Sequence, residues 1–363
     1  MKDNLPCLTR RQVPELTFLA ARKTQIVATL GPVSETRSCL EGLILAGMDM
    51  VRLSMSNGTR EQHINTVALV RELATECGRP VRILADLQGR KNRLGRLPGG
   101  QVEWLTGDHV VLTTSQEQLT SHRTWTLYPW IPNLVQPGSA VLIDDGAVVL
   151  TVQHADSAEM HCTVAEGGTV TDGRGFTIPG ATTFEPGLNQ KDADDLLFAA
   201  DLGVDLVALS FACSAEDYAA VHALAPSPLV IGKVEHPDAV KALSSMAGAF
   251  DGLMVARGDL ALEIAFEDVP IVQKSAVREC SRMGKTSMVA TQLLHSMRES
   301  SLPARAEVAD IFNAVVDGAD ALVLTGETGY GKHPVRVVEV MRRVIESAER
   351  HLMDAGPSRT SSR

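Results

Sequence analysis

The chain has 363 residues, and its 34 lysines and arginines against 44 aspartates and glutamates give a formal net charge of −10. This acidic balance argues against nucleic acid or a membrane surface as the main partner, so any anion site must be a local group of cations. No apolar run reaches the roughly 18 residues of a membrane helix, and the N-terminus lacks a secretory signal. We therefore expect a cytoplasmic protein.

Short apolar runs rich in β-branched residues alternate with longer amphipathic segments, beginning at Gln25. This alternation is typical of βα units around a parallel sheet. Eight runs are predicted to be strands, at 24–31, 48–56, 81–88, 204–211, 229–235, 251–259, 286–292 and 319–327. Because eight parallel strands close a barrel, the predicted fold class is α/β, with a (β/α)8 TIM barrel.

The alternation stops between about 96 and 186, where strand-like runs are separated by Gly, Asp and Pro. This stretch is predicted to be a small β-rich lid domain inserted after strand 3, over the carboxyl-terminal mouth of the barrel, where active sites of this fold lie. The predicted domains are a first barrel part at 1–95 with an N-terminal extension of about 20 residues, the lid at 96–186, a second barrel part at 187–352 and a disordered tail at 353–363.

Charged and hydroxyl residues recur at the carboxyl ends of seven of the eight predicted strands. They are Arg52, Ser54, Asp86, Gln88, Ser210, Lys233, Glu235, Arg257, Asp259, Thr291, Thr325 and Glu327. Charges beside apolar runs cost several kcal/mol unless they are paired or metal-bound, so their repetition at one end favours an active site over surface decoration. Taken singly, Arg257 is predicted to organise an ion pair, and Thr325 to cap the next helix.

Two of these carboxylates, Glu235 and Asp259, end consecutive strands and are predicted to converge. A pair of hard oxygen donors with room for water and substrate suits Mg²⁺ or Mn²⁺, although a salt-bridge network with Arg257 is the alternative. Lys233 lies two residues before Glu235 and therefore shares its face of the strand. A lysine there is a candidate for stabilising a transferring phosphoryl group or an enolate oxygen.

With these residues in view, the chain resembles the pyruvate kinase family from about Arg22 to Arg350. The motifs that carry the resemblance are RKTQIVATLGP (22–32), MDMVRLSMSNG (48–58), ADLQGRKNRLG (85–95), IDDG (143–146), GFTIPG (175–180), IGKVEH (231–236), DGLMVARGDLALEI (251–264), MVATQLLHSM (288–297), PARAEVADIFNAVVDG (303–318) and TGETGYGKHP (325–334). The resemblance implies the same barrel with an inserted β domain. It also implies Mg²⁺- or Mn²⁺-dependent phosphoryl transfer between phosphoenolpyruvate and ADP.

The resemblance implies roles for individual residues. Lys233 would stabilise the phosphoryl group in flight and the enolate, Arg52 would contact the phosphoryl group, and Thr291 would lie near the proton route to the enolate carbon. The remaining implied sets are Glu235 and Asp259 for the metal, Gly258, Asp259 and Thr291 for the substrate carboxylate with Ser210 as a further substrate-binding residue, and Arg93, Asn57 and Arg174 for the nucleotide.

The chain departs from the family's pattern in its ion-binding and nucleotide-side positions. The family's potassium ligands correspond here to Ser54, Ser56, Asp86 and Leu87, and Lys91 would replace the monovalent ion, so no potassium requirement is predicted. Asn57 replaces a nucleotide-side His, and Arg90 and Asn92 replace the usual Pro and Ile. The family's carboxyl-terminal regulatory domain has no counterpart in this sequence, so we expect no allostery through it.

Three hypotheses follow from the sequence. The first is a pyruvate kinase-like phosphotransferase that uses ADP or ATP. The second is an enzyme that uses the same metal and enolate site for other chemistry on a 2-oxo acid or phosphoenolpyruvate, and the third is a non-catalytic metabolite-binding relative. The apolar face of the last helix is predicted to pack in the core rather than in a dimer interface, although a homo-oligomer is plausible through barrel contacts.

Overall fold

The computed structural model describes residues 22–89, 92–126, 130–144, 146–181 and 188–355. The predicted N-terminal extension, Lys91 and most of the predicted tail lie outside these residues. The last helix continues to Ala355, past the predicted start of the tail at residue 353.

A closed barrel of eight parallel strands forms the centre of the described chain, as predicted. Its strands are β1 (Gln25–Thr29), β2 (Met50–Ser54), β3 (Arg82–Asp86), β12 (Leu206–Leu209), β13 (Leu229–Val234), β14 (Gly252–Ala256), β15 (Thr286–Ala290) and β16 (Ala321–Leu324). Strands β4 to β11 belong to a segment inserted between β3 and the next helix and are described below. The barrel closes because β1 pairs with β16 on one side and with β2 on the other.

Helices surround the barrel and follow most of its strands. They are α1 (Arg37–Ala46), α2 (Arg60–Glu76), α3 (Gln190–Asp201), α4 (Ala215–Leu224), α5 (Pro237–Lys241), α6 (Leu243–Ala249), α7 (Arg257–Glu263), α8 (Val269–Met283), α9 (Arg305–Asp317), α10 (Gly326–Gly329) and α11 (Pro334–Ala355). Their ends follow local chemistry: Thr59 and Gln62 form a capping box before α2, and Gly284 ends α8 in the left-handed conformation. No helix in the described part of the chain is long and apolar enough to cross a membrane.

The segment between β3 and α3 folds as two small sheets, which we call the inserted β domain (residues 101–177). Its strands are β4 (Gln101–Trp104), β5 (His109–Thr113), β6 (Arg123–Trp125), β7 (Ala140–Ile143), β8 (Val148–Ala155), β9 (Glu159–Glu166), β10 (Gly168–Thr171) and β11 (Phe176–Thr177). β10 pairs with β4, and the other six strands form one sheet in the order β11-β7-β8-β9-β5-β6.

The buried apolar residues divide into three clusters. One fills the barrel interior, a second lies between the barrel and its helices, and a third belongs to the inserted β domain, where Trp104 and Phe176 are fully buried. The inserted domain therefore has its own core. The apolar face of α11, with Val337, Met341 and Ile345, is fully buried in the second cluster, which confirms the core packing predicted for the last helix.

One strand boundary differs from the prediction in a way that matters for the site. The predicted strand 251–259 ends at Ala256, and Arg257 begins the short helix α7, so that Asp259 lies in the first turn of a helix. An acidic residue in a first turn is favoured by the partial positive charge of the helix N-terminus. The apolar run of β14 could not show that the backbone changes direction at Ala256.

Candidate active site

The polar residues that follow the barrel strands line a small cleft at the carboxyl-terminal mouth. This inner cleft has a volume of about 100 Å³. Its lining is Arg52, Ser54, Ser56, Asp86, Leu87, Gln88, Arg93, Ser210, Phe211, Lys233, Glu235 and Asp259. The structure thus brings together residues from β2, β3, β13 and α7 and from the loop after β12, with Arg93 reaching in from the connection to the inserted β domain.

Lys233 is the central cation of the inner cleft. Its Nζ donates to Ser210 Oγ at 2.8 Å and to Asp86 Oδ1 at 3.2 Å, and it pairs with Glu235 Oε1 at 2.9 Å. Burial disfavours the ammonium form, but the charges of Asp86 and Glu235 outweigh burial, so the pKa of Lys233 is raised above its ordinary value. Lys233 is therefore a fixed positive charge at neutral pH, not a proton donor.

Asp86 connects this lysine to Arg52. Arg52 Nε donates to Asp86 Oδ2 at 2.5 Å, and Arg52 Nη1 donates to Thr29 Oγ1 at 3.0 Å. Burial opposes ionisation of Asp86, which is 2% exposed, but Arg52 and Lys233 overcome it and lower the pKa of this carboxyl. The two cations are consequently held in one place by a shared anion.

Glu235 and Asp259 supply the carboxylates that could hold a divalent cation. Glu235 is 1% exposed, and its Oε2 accepts a hydrogen bond from the backbone N–H of Phe211 at 2.8 Å, which the positive φ of Phe211 (55°) turns toward it. Burial raises the pKa of Glu235. The charge of Lys233 opposes this effect, and the nearby charge of Asp259 adds to it. Two neighbouring carboxylates, whose mutual repulsion a bound cation would relieve, fit the donor set of a hard divalent cation.

The described residues hold no group of three or more His, Cys, Asp or Glu side chains that could bind a metal alone. Glu235 and Asp259 would therefore need water and substrate oxygens to complete an octahedral shell, as Mg²⁺ sites usually do.

A second set of contacts joins the end of β15 to the start of α7. The backbone N–H of Gly258 donates to Thr291 Oγ1 at 2.8 Å, and Arg257 Nη2 donates to the Thr291 carbonyl at 2.6 Å. Arg257 is fixed in turn by Asp310, at 2.7 Å, which confirms the ion-pair role predicted for it. Thr291 has a φ of 74°, a conformation that strains a β-branched residue by about 1–3 kcal/mol, as is common at functional sites.

A larger cavity of about 470 Å³ opens beside the inner cleft, and the two share Arg52 and Ser54. We call it the outer cavity. Asn57, which was predicted on the nucleotide side, lines it. Its lining also includes Pro32, His63 and Tyr330. The shared residues show that the inner cleft and the outer cavity adjoin each other.

Three predicted site residues remain: Arg93, Arg174 and Lys91. Arg93 lines the inner cleft and donates to the Gly173 carbonyl at 3.0 Å. Arg174 forms an ion pair with Asp144 at 2.9 Å and lines neither the inner cleft nor the outer cavity. Lys91 lies outside the described residues.

Sequence reasoning missed two residues around this mouth. Tyr330, in the lining of the outer cavity, is 55% exposed although aromatic, and Glu263 ends α7 with a partly buried carboxylate. Glu263 follows Asp259 by four residues, the spacing of one helical face, but that signal exists only once α7 is recognised as a helix.

Comparisons with family models, with individual proteins and with solved structures all find pyruvate kinases. A family model described as "Pyruvate kinase, barrel domain" matches residues 21–338. Among similar proteins, the pyruvate kinase of Corynebacterium efficiens is 44% identical over 90% of this chain and 70% of its own length. That of Mycobacterium tuberculosis is 42% identical over 93% and 72%, respectively. A crystal structure of a pyruvate kinase from Cryptosporidium parvum superposes with a TM-score of 0.85 at 35% identity, covering 91% of this chain and 70% of that one.

Proposed function

Because the chain belongs to the pyruvate kinase family, we propose that it catalyses Mg²⁺-dependent phosphoryl transfer between phosphoenolpyruvate and ADP, giving pyruvate and ATP. The observation that carries this proposal is the cluster of Lys233, Arg52 and Asp86 where the inner cleft meets the outer cavity. A phosphoryl group passing between two ligands at this junction would meet two fixed positive charges.

The protein's contribution to this reaction is electrostatic. Little covalent chemistry is required in phosphoryl transfer, so catalysis depends on positioning and on charges aimed at the transition state. Lys233 would contact the phosphoryl group in flight and then the enolate oxygen, and Arg52 would hold the same phosphoryl group from the side of the outer cavity. Both charges are preorganised by Asp86, so they need no rearrangement during the reaction.

Glu235 and Asp259 would hold the divalent cation, which neutralises charge on the phosphate and the enolate when it is bound. The substrate carboxylate would lie at the N-terminus of α7, against the backbone of Gly258 and Asp259 and beside Thr291. Ser210, which accepts a 2.8 Å hydrogen bond from Lys233, would contact the substrate within the same cleft. Thr291 is held next to Gly258 by their 2.8 Å hydrogen bond, and it would lie close to the carbon that takes up a proton when the enolate becomes pyruvate.

The nucleotide would occupy the outer cavity, whose volume of about 470 Å³ lies within the range of small-molecule sites. Asn57 lines this cavity, and Arg93 approaches from the neighbouring cleft. Arg174 is paired with Asp144 and would have to leave it to contact a nucleotide.

A second candidate function keeps the enolate site and changes the acceptor of the phosphoryl group. It is favoured by one observation: Arg52 is the single lysine or arginine among the described residues that line the outer cavity. A cavity so poor in cations also suits an acceptor less charged than ADP, or water.

We also propose that the enzyme needs no monovalent cation. Of the four positions at which the family binds potassium, Leu87 has no side-chain oxygen, and Asp86 is already engaged by Arg52 and Lys233. Turnover in buffer free of sodium and potassium should match turnover with added potassium. A large stimulation by potassium would refute this part of the proposal.

The proposed reaction is tested by following pyruvate release, coupled to lactate dehydrogenase, with phosphoenolpyruvate, ADP and Mg²⁺. We expect turnover that requires all three, and Lys233→Ala should lower kcat by roughly 10³-fold because it removes a charge from the transition state. Arg336→Ala, which removes a partly exposed charge on α11, is the control and should keep wild-type kcat. Pyruvate release without ADP would instead support the second candidate.

A further inference from the structure

The turn that follows β3 packs directly against the loop that follows β12. Gly89, in this turn, has a φ of 74°, and a Cβ at its position would lie 2.4 Å from Ser210 Cβ and 3.0 Å from Phe211 Cδ2. Glycine fits both this backbone conformation and so close a contact, because it has no Cβ. The main chain of Gly89 is therefore the surface against which Ser210 and Phe211 pack.

Ser210 and Phe211, which we call the loop pair, each bond to a charged residue of the inner cleft. Ser210 Oγ accepts from Lys233 Nζ at 2.8 Å. The backbone N–H of Phe211 donates to Glu235 Oε2, also at 2.8 Å. All four residues are buried, and close-packed interiors transmit small shifts between neighbours. A displacement of Gly89 would therefore disturb the contacts of both the lysine and the carboxylate.

Gly89 is also bonded to the start of α3, the first helix after the inserted β domain. Its backbone N–H donates to Asp192 Oδ1 at 3.1 Å, and its carbonyl accepts from Asn189 Nδ2 at 3.4 Å. Asp192 Oδ2 accepts from the same Asn189 group at 2.7 Å. The Asp192 side chain, which is 1% exposed, thus uses both of its oxygens as acceptors, and an amide has only one acceptor oxygen.

The bond between Asp192 and Gly89 is separate from the cap of α3. Asn189 caps this helix by accepting from the backbone N–H of Asp192 at 2.7 Å. That bond does not involve the Asp192 side chain. Removal of the Asp192 carboxylate therefore leaves the capping bond in place and removes the bond that holds the Gly89 N–H.

We propose that Asp192 is a positioning residue, which holds Gly89 against the loop pair and thereby fixes the two residues that orient Lys233 and Glu235. The inference rests on the proposed roles of Lys233 in phosphoryl transfer and of Glu235 in metal binding. Asp192 is not among the described residues that line the inner cleft, so it acts through Gly89 and the loop pair rather than on the substrate.

Two variants of Asp192 and one control test this role. Asp192→Ala removes both acceptor oxygens. Asp192→Asn keeps one oxygen for the two donors, so its effects should be smaller and in the same direction. Asp194→Ala removes an exposed carboxylate of the same helix, which accepts from Gln190 at 2.9 Å, and serves as the control.

The first readout is hydrogen exchange followed by mass spectrometry, which requires no turnover. The Phe211 N–H reports directly on its bond to Glu235. We expect Asp192→Ala to speed exchange by about tenfold in the peptides that contain Gly89 and Phe211, because local opening becomes easier there. Asp194→Ala should exchange like the wild type in both peptides.

The second readout is steady-state kinetics of pyruvate release. Asp192→Ala should lower kcat between about ten- and a hundredfold, because loss of a group that orients active-site residues has effects of this size. The KM for ADP should stay within about twofold, since neither Gly89 nor the loop pair lines the outer cavity. Asp194→Ala should keep the wild-type kcat.

Wild-type exchange at Phe211 or wild-type kcat in a folded Asp192→Ala protein would overturn the inference. Faster exchange at Gly89 alone would also overturn it, because the contact would then not reach the loop pair. If Asp192→Ala does not fold, Asp192→Asn decides by the same two readouts. If the wild-type protein forms no pyruvate from phosphoenolpyruvate and ADP, the proposed function fails, and exchange at Phe211 still decides whether Asp192 holds the loop pair.

Discussion

Asp86 shows how a single buried residue organises the mouth of the barrel. It lies between Arg52 and Lys233, and all three side chains are largely removed from solvent. A buried charge that loses its partner is strongly destabilising, whereas a fully paired set is roughly neutral for stability. The arrangement is therefore best understood as a means of holding two cations in fixed positions rather than as a stabilising salt bridge.

The pKa shift of Asp86 predicts how its contribution to stability depends on pH. Its pKa is lower in the folded protein than in the unfolded chain, so the stabilisation is fully present above about pH 4 and is lost as the pH falls toward the folded value. Asp86→Asn should lower the free energy of unfolding by about 3 kcal/mol at pH 7, because Arg52 and Lys233 lose their shared anion.

Urea denaturation of the wild type and Asp86→Asn at pH 7, 5 and 3.5 measures this effect. The difference in unfolding free energy should be equal at pH 7 and 5 and smaller at pH 3.5. A difference that stays constant down to pH 3.5, or that grows, would show that folding does not lower the pKa of Asp86.

At the scale of secondary structure, the end of β15 and the start of α7 act as one unit. Thr291 accepts the hydrogen bond of Gly258 through its hydroxyl and that of Arg257 through its carbonyl, while its own backbone is strained. Arg257 is anchored to Asp310 on α9, so three elements determine where the N-terminus of α7 points. The proposed carboxylate site depends on this junction.

For kcat/KM, the hydroxyl of Thr291 is predicted to matter more than the volume of its side chain. Thr291→Val keeps the shape but leaves the Gly258 N–H without its acceptor, so kcat/KM for phosphoenolpyruvate should fall between about ten- and a hundredfold through misplacement of α7. Thr291→Ser keeps the hydroxyl and should stay within about threefold of the wild type. Steady-state kinetics compare the two, and equal losses in both variants would contradict the role of the hydroxyl.

The sequence predicted the barrel well because its strands are apolar runs that need no tertiary information to recognise. Within 96–186 the sequence predicted only a β-rich domain and not its individual strands, although buried Met160, Cys162 and Val164 of β9 alternate with more exposed residues. The predicted strand 251–259 ran past the end of β14 into α7, because only contacts such as that with Thr291 reveal the turn at Ala256.

Some residues of the candidate site could be predicted from the sequence, and others could not. Residues at strand ends, such as Lys233 and Glu235, could be predicted because parallel strands all end at one mouth. The hydrogen bond from the Gly258 N–H to Thr291 could not, because it depends on the change of backbone direction at Ala256 that begins α7. Arg174 was predicted from the resemblance alone, and its pairing with Asp144 depends on the turn before β11.

At the scale of the whole molecule, the inserted β domain and the barrel have separate cores but meet at the mouth. The chain carries a net charge of −10, yet Arg52, Arg93 and Lys233 gather in one cleft. Low-dielectric walls around such a cluster concentrate its field, so an anionic substrate can bind despite the overall negative charge.

The most direct test of the proposed function measures ATP and pyruvate together in one reaction that contains phosphoenolpyruvate, ADP and Mg²⁺. If the phosphoryl group passes from the inner cleft to a nucleotide in the outer cavity, the two products must form in equal amounts at all times, and both must disappear without Mg²⁺. Pyruvate formed without an equal amount of ATP would contradict the account, because it would mean that the phosphoryl group goes to water or to another acceptor.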